Sequence, residues 1–248
     1  MDNVPFAFID SVAHSLSSDS ASTLADIPIG HWPYVGLTHR SQRRDFISDL
    51  IWIIDQTDRT EYFDKQIATF TRSPKYSRFT EVNLIGLFGR VPRYLARIKQ
   101  LEPLLKRNLC QNTELNVHHA FSCESEELSF LWRLPVKRLR IEDMSPHMRS
   151  VKYEILQWHI ENNPFLEELR FYYATYNVLK MIIEAWKSGQ SGLEKVSCTL
   201  ENKDDWKRLE QLGCGTVEET RDFHCSILTC RESGRSLRIE FDNLSKLF

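Results

Sequence analysis

The chain has 248 residues, 42% of them apolar, enough for one large domain or for a domain carrying a small module. Its 32 basic and 34 acidic residues leave a formal charge of −2, which points away from nucleic acid or an anionic membrane as the main partner. Only 9 residues are glycine, and phosphate-cradling loops need several close together so that backbone amides converge. Gly86/Gly89 and Gly213/Gly215 come nearest, and neither pair carries a P-loop Lys-Ser/Thr or a dinucleotide fingerprint. A nucleotide enzyme is not expected. Met1-Asp2 opens no signal peptide, the first apolar stretch holds Asp10 and His14, and no run approaches the roughly 18 apolar residues of a membrane span. An intracellular chain, cytoplasmic or nuclear, follows as the expectation. Its cysteines 110, 123, 198, 214, 225 and 230 are then reduced, most of them small buried hydrophobes.

Residues 1–40 read as a small helical unit. Pro5 precedes apolar residues at 8, 9, 12, 13 and 16, the spacing of an amphipathic helix of about three turns. A Ser-rich stretch, Ser17–Thr23, supplies capping residues for a short second helix around Ala21–Asp26, stopped before Pro28. Trp32-Pro33-Tyr34-Val35 closes an apolar cluster. Residues 41–75 form a connector. Phe46, Leu50 and Ile54 fit a helical face, whereas the β-branched run Ile51–Ile54, a turn-like Asp55–Asp58 and the stretch Tyr62–Phe70 fit a β-hairpin. The hairpin is the expectation taken forward.

From Tyr76 onward one pattern recurs. Glu81-Val82-Asn83-Leu84, Glu114-Leu115-Asn116-Val117, Arg138-Leu139-Arg140-Ile141, Glu168-Leu169-Arg170-Phe171 and Lys195-Val196-Ser197-Cys198 each alternate charged, apolar, polar, apolar, as a strand with one buried face does. Val82, Leu115, Leu139, Leu169 and Val196 are separated by 33, 24, 30 and 27 residues, an interval that holds a strand and a helix. Helices are expected at Val91–Arg107, Glu124–Trp132, Met148–Glu161, Tyr176–Lys187 and Asp204–Leu212, with Gly189 and Gly213 as stops. Ser226–Cys230 and Ser236–Asp242 flank Glu232-Ser233-Gly234 as a terminal hairpin that caps the array. The architecture expected for 76–248 is an α/β strand–helix solenoid of irregular units.

Val4-Pro5-Phe6 through Trp32, followed by these repeats, resembles the nematode-expanded F-box families, in which a degenerate F-box precedes an α/β recognition region similar to a leucine-rich-repeat array. Arg43-Arg44-Asp45-Phe46 and Tyr76-Ser77-Arg78-Phe79-Thr80 look like signatures of the same group. The resemblance spans nearly the whole chain and implies a substrate-recognition subunit of a cullin–RING ubiquitin ligase, non-catalytic and without cofactor. Pro5, Phe6, Ile9, Val12, Leu16, Leu24 and Trp32 would dock on a Skp-type adaptor, and the rest of the chain would hold a protein substrate. The other reading, of a different class, is an interaction scaffold whose F-box has decayed.

If the apolar residues of the five strands face the core, their neighbours form two rows on the other face. One runs Asn83, Asn116, Arg140, Arg170, Ser197; the other runs Glu81, Glu114, Arg138, Glu168, Lys195. Arg138, Arg140 and Arg170 beside Glu168 describe a grip for an acidic peptide, and singly each describes a solvated cross-strand ion pair. Metal and catalytic chemistry find little purchase. Cys214, His224, Cys225 and Cys230 lack the paired tight spacing of zinc ligands, and His118-His119 lacks the spacing and glutamate of a metalloprotease helix. The basic residues 90–107 hold only Tyr94 among them, too few aromatics for nucleic-acid stacking.

Overall fold

The computed structural model describes residues 4–52, 68, 75–88, 99–118, 122–123, 126–142, 149–200, 208, 215–219, 223–229 and 234–242. The amino-terminal unit has three α-helices. Helix α1, Phe6–Ser15, follows an extended Pro5 whose fixed φ suits a helix start. Helix α2, Ser18–Thr23, is capped by the Ser17 hydroxyl, which accepts from the Ser20 amide at 3.1 Å, and it tightens into a 3₁₀ turn over Leu24–Asp26. Helix α3, Trp32–Gln42, carries Pro33 in its first turn, where the missing N–H costs nothing. Sequence reasoning saw the first two and ended the unit at the Trp32–Val35 cluster, because Pro, Gly and aromatic residues are weak local helix signals. Packing supplies what propensity lacks. Ile9, Ala13, Ala21, Leu24 and Val35 enclose a core of their own, with Val4, Leu16, Ile27 and Trp32 against it.

The remainder is α/β. Strands β1 (Arg44–Trp52), β2 (Ser77–Phe88), β3 (Leu109–Val117), β5 (Arg138–Ile141), β6 (Glu168–Ala174), β7 (Lys195–Leu200) and β10 (Ser236–Asp242) are parallel neighbours in that order. The two-residue β4, Ser122–Cys123, pairs with β2 off this path. Strands β9 (Phe223–Thr229) and β8 (Gly215–Glu219) add antiparallel at the far edge. Arg44–Trp52 is a strand that pairs in parallel with β2, while Tyr62–Phe70, the expected second arm of the hairpin, lies outside the described residues apart from Ala68. Two expectations change here. The terminal hairpin forms between β9 and β10, with Gly234 at φ +67, yet β10 then docks beside β7 and extends the sheet. Glu126–Leu131 is a 3₁₀ helix where an α-helix was expected, since the short interval before Leu139 and Pro135 leave room for no more.

Helices α4 (Leu101–Asn108), α5 (Arg149–Asn162) and α6 (Tyr176–Lys187) lie between successive strands. Thr175 caps α6 through its hydroxyl, and Gly189 follows the end at φ +81, a left-handed conformation that glycine adopts without strain. Leu105, Ile155, Ile160, Leu179, Ile183 and Trp186 share one core with Val82, Leu115, Leu139, Leu169, Val196 and Ile239 of the strands. Burying each such side chain is worth roughly 1.5–3 kcal/mol. That shared core places α4, α5 and α6 on the side of the sheet towards which these strand residues point. Among the described residues no helix is long and apolar enough to cross a membrane. What stands is α/β with a seven-stranded parallel sheet. The remaining parts of the expected elements at 62–70, 91–98 and 204–212 lie outside the described residues, Ala68 and Arg208 excepted.

Candidate functional site

The strand register aligns the repeated segments residue for residue. Glu81, Glu114, Arg138, Glu168 and Lys195 form one row, and Asn83, Asn116, Arg140, Arg170 and Ser197 form the other. Their apolar neighbours Val82, Leu84, Leu115, Val117, Leu139, Ile141, Leu169, Phe171, Val196 and Cys198 are buried, so both rows lie on the face opposite the helices. Exposure along the rows is uneven. Asn83 and Asn116 are only 6% exposed, and the Asn116 amide donates to Asn83 Oδ1 at 2.8 Å and to Glu81 Oε1 at 2.9 Å. Arg138, Arg140, Lys195 and Ser197 are half-buried, while Glu168 and Arg170 are exposed.

Strand β10 adds a sixth member to each row. Arg238 pairs with Lys195 and Glu240 with Ser197. The signal was in the sequence, since Leu237-Arg238-Ile239-Glu240-Phe241 alternates as the others do, but the antiparallel hairpin before it hid the parallel partner. Glu240 accepts from Lys195 at 2.9 Å, Ser197 at 3.1 Å and Arg238 at 2.8 Å. Burial would raise its carboxyl, and these donors more than offset that, holding it below the usual carboxylate value. On β5 the Arg138 Nη2 donates to the Asn112 carbonyl at 2.7 Å, and Arg140 lies 3.3 Å from Glu142 and donates to the Tyr172 hydroxyl at 3.4 Å. The Nε of Arg140 is buried with no hydrogen-bond partner among the described residues. Arg170 makes no ion pair or hydrogen bond among them.

The amino-terminal unit presents a second surface. Of its expected docking residues, Pro5 and Phe6 are exposed, Val12, Leu16 and Trp32 are half-buried, and Ile9 and Leu24 are interior at 1% and 8%. Ile9 and Leu24 pack inside the unit's own core and hold its helices together. Apolar exposure lies elsewhere, at Phe8, Ile29, Tyr34 and Leu37 as well as Phe6. The Phe6 ring sits 5.9 Å from both His31 and Tyr34, and Leu37 follows Tyr34 by one helical turn.

Where this unit meets the sheet, polar side chains converge. Asp10 accepts from Lys75 Nζ at 2.9 Å and from His39 Nε2 at 3.2 Å, with His14 Nε2 at 3.7 Å. Burial would raise Asp10, but Lys75 and His39 outweigh it and hold the carboxyl below its ordinary value. Burial, helped by Arg78, pushes His14 down to about 4, and burial lowers His39 as well. Sequence reasoning missed this cluster, although Asp10 and His14 stand one turn apart on α1. Ligand atoms of Asp10, His14 and His39 lie within 4.8 Å of one another, the compactness a metal centre needs. The chemistry of the set argues otherwise. Lys75 already neutralises the carboxylate, and Arg78 donates to His14 Nδ1, which fixes the proton on Nε2, the nitrogen a metal would need bare. The cluster fastens two parts of one chain.

His118 Nδ1 pairs with Glu142 at 2.8 Å, while His119, Cys214 and Cys230 and the side chains of His224 and Cys225 lie outside the described residues. No protein-family model matches this chain, and no curated protein matches it significantly.

Proposed function

We propose that the protein is a non-catalytic recognition subunit of a cullin–RING ubiquitin ligase. Its amino-terminal unit docks on a Skp-type adaptor, and the face of its sheet opposite α4, α5 and α6 holds a protein substrate inside the cell. The observation that carries this reading is where apolar surface is left uncovered. Phe6, Phe8, Ile29, Tyr34 and Leu37, all within one small three-helix unit, remain exposed at 37%, 58%, 38%, 64% and 55%. A unit that buries so little of its own large apolar surface is suited to a partner that covers the rest. The resemblance of residues 4–32, 43–46 and 76–80 to F-box families supports the same assignment. The docking surface then centres on Phe6, Tyr34 and Leu37 and leaves Ile9 and Leu24 as core.

Co-purification of the full chain with a Skp-type adaptor tests this. Wild type is expected to be captured, and the double variant Tyr34→Ser, Leu37→Ser to be lost while keeping its fold, since both side chains are more than half exposed. Ile9→Asp would be a poor probe because it puts a charge inside the unit's core. Failure of the wild type to capture adaptor rejects the ligase mechanism and leaves an interaction scaffold.

A further inference from the structure

We infer that the β5–β10 half of the sheet face binds a short acidic peptide segment, a statement that rests on the recognition reading above and specifies its substrate. The two rows are not uniform in charge. On β5, β6, β7 and β10 they carry Arg138, Arg140, Arg170, Lys195 and Arg238 against Glu168 and Glu240. On β2 and β3 the same rows carry Glu81, Glu114 and two asparagines. A net positive strip thus lies beside an acidic one, with Glu142 3.3 Å from Arg140 and Glu114 3.8 Å from Arg138, in a chain whose formal charge is −2. Overall charge would not steer an acidic ligand here; the local strip would.

Two basic groups in the strip retain unused donors. Arg170 is exposed and makes no ion pair or hydrogen bond among the described residues, and the buried Nε of Arg140, its direct cross-strand neighbour, has no acceptor there. Lys195 and Arg238 both bond to the carboxylate of Glu240. An arriving carboxylate would complete these donors with charge-assisted bonds. Four strands at about 4.8 Å spacing span roughly 14 Å, the length of four or five extended residues at about 3.3 Å each. Glu81 and Glu114 repel an acidic ligand and bound the footprint on the β3 side.

Acidic protein is favoured over nucleic acid by what the strip lacks. Single-stranded nucleic acid is held largely by aromatic faces that stack on bases. The exposed aromatic side chains among the described residues are Phe6, Phe8, Tyr34, Tyr153 and Phe165, none of them on these strands, and the half-buried Tyr172 beside Arg140 offers a single ring. The carboxylates of Glu168 and Glu240 would oppose a continuous phosphate backbone.

The test measures anisotropy of a fluorescent oligoglutamate on the full chain, with oligolysine and single-stranded oligodeoxythymidine as comparisons. Arg170→Glu is expected to weaken oligoglutamate binding about tenfold or more, and added salt to weaken it further. Lys180→Glu, an equal charge change on the helical face at α6, is expected to leave it unchanged. No oligoglutamate binding, an equal loss in both variants, or tighter binding of the oligonucleotide overturns the inference. Adaptor capture on the same preparations separates the two proposals. Peptide binding without adaptor capture rejects only the ligase reading, and capture without peptide binding rejects only this one.

Discussion

His159 illustrates how a titratable side chain can serve packing alone. It is fully buried on α5, its Nε2 donates to the Trp132 carbonyl at 2.7 Å, and Asn163 faces its Nδ1 at 3.1 Å. Asn163 also donates to the Val136 carbonyl at 2.7 Å, so the pair ties α5 to the segment before β5. Burial drives the imidazole pKa down to about 4, only partly opposed by the carbonyl bond. Below its ordinary value of 6.5 the unfolded chain therefore takes up a proton that the folded chain refuses. Stability is complete above that value and falls as pH drops from 6.5 towards 4, by about 3 kcal/mol from His159 alone. Denaturant titrations across this range should show that loss, and His159→Gln, less stable throughout, should show a shallower slope. A slope unchanged by the substitution would refute the assignment. A histidine at this position was visible in the sequence, but nothing local said whether it was buried.

Among the elements, α3 is the one that tertiary contact created. Gly36 lets it lie on the 3₁₀ turn before it so closely that a Cβ there would stand 2.0 Å from the Ala25 amide nitrogen. Backbone cannot retreat as a side-chain tip can, so Gly36→Ala should cost about 3 kcal/mol or more and melt the amino-terminal unit. Amide exchange should accelerate over residues 4–42 with strands β5–β7 unaffected. Uniform acceleration would mean that the two parts fold as one. Helix α6 stands at the opposite pole. Its cap Thr175, its apolar stripe Val178, Leu179, Ile182, Ile183, Trp186 and its stop at Gly189 were all legible, because each acts within the helix or one turn beyond it. The unit before β5 was half legible. Its strand followed from alternation, whereas its 3₁₀ connection was set by how few residues were left to cross the sheet.

For the whole molecule, two apolar cores are joined by a polar seam. The amino-terminal core and the sheet core share no residue. Between them Asp10 binds Lys75, His14 meets Arg78, Arg43 donates to the Ala13 carbonyl at 3.3 Å, and the Arg44 amide donates to the Tyr76 carbonyl at 3.0 Å. Asp10→Ala should leave the Lys75 and His39 donors unmatched, costing about 1–3 kcal/mol, and should loosen the seam before either core. Limited proteolysis should then cut first near residue 43, and cleavage first within the strands would show that the seam is not the weak point. The sequence alone determined which residues of each repeated strand face the apolar core, since the two-residue period of a strand assigns faces without reference to any partner. It likewise determined the α/β class and the limits of the well-capped helices. Only the tertiary structure decided that β1 and β10 join the same sheet, that Asn83 and Asn116 are covered while Arg170 is not, and that Asp10, His39 and Lys75 meet. Those are contacts between distant parts of the chain, and local periodicity carries no information about which distant strand or helix will supply the neighbour.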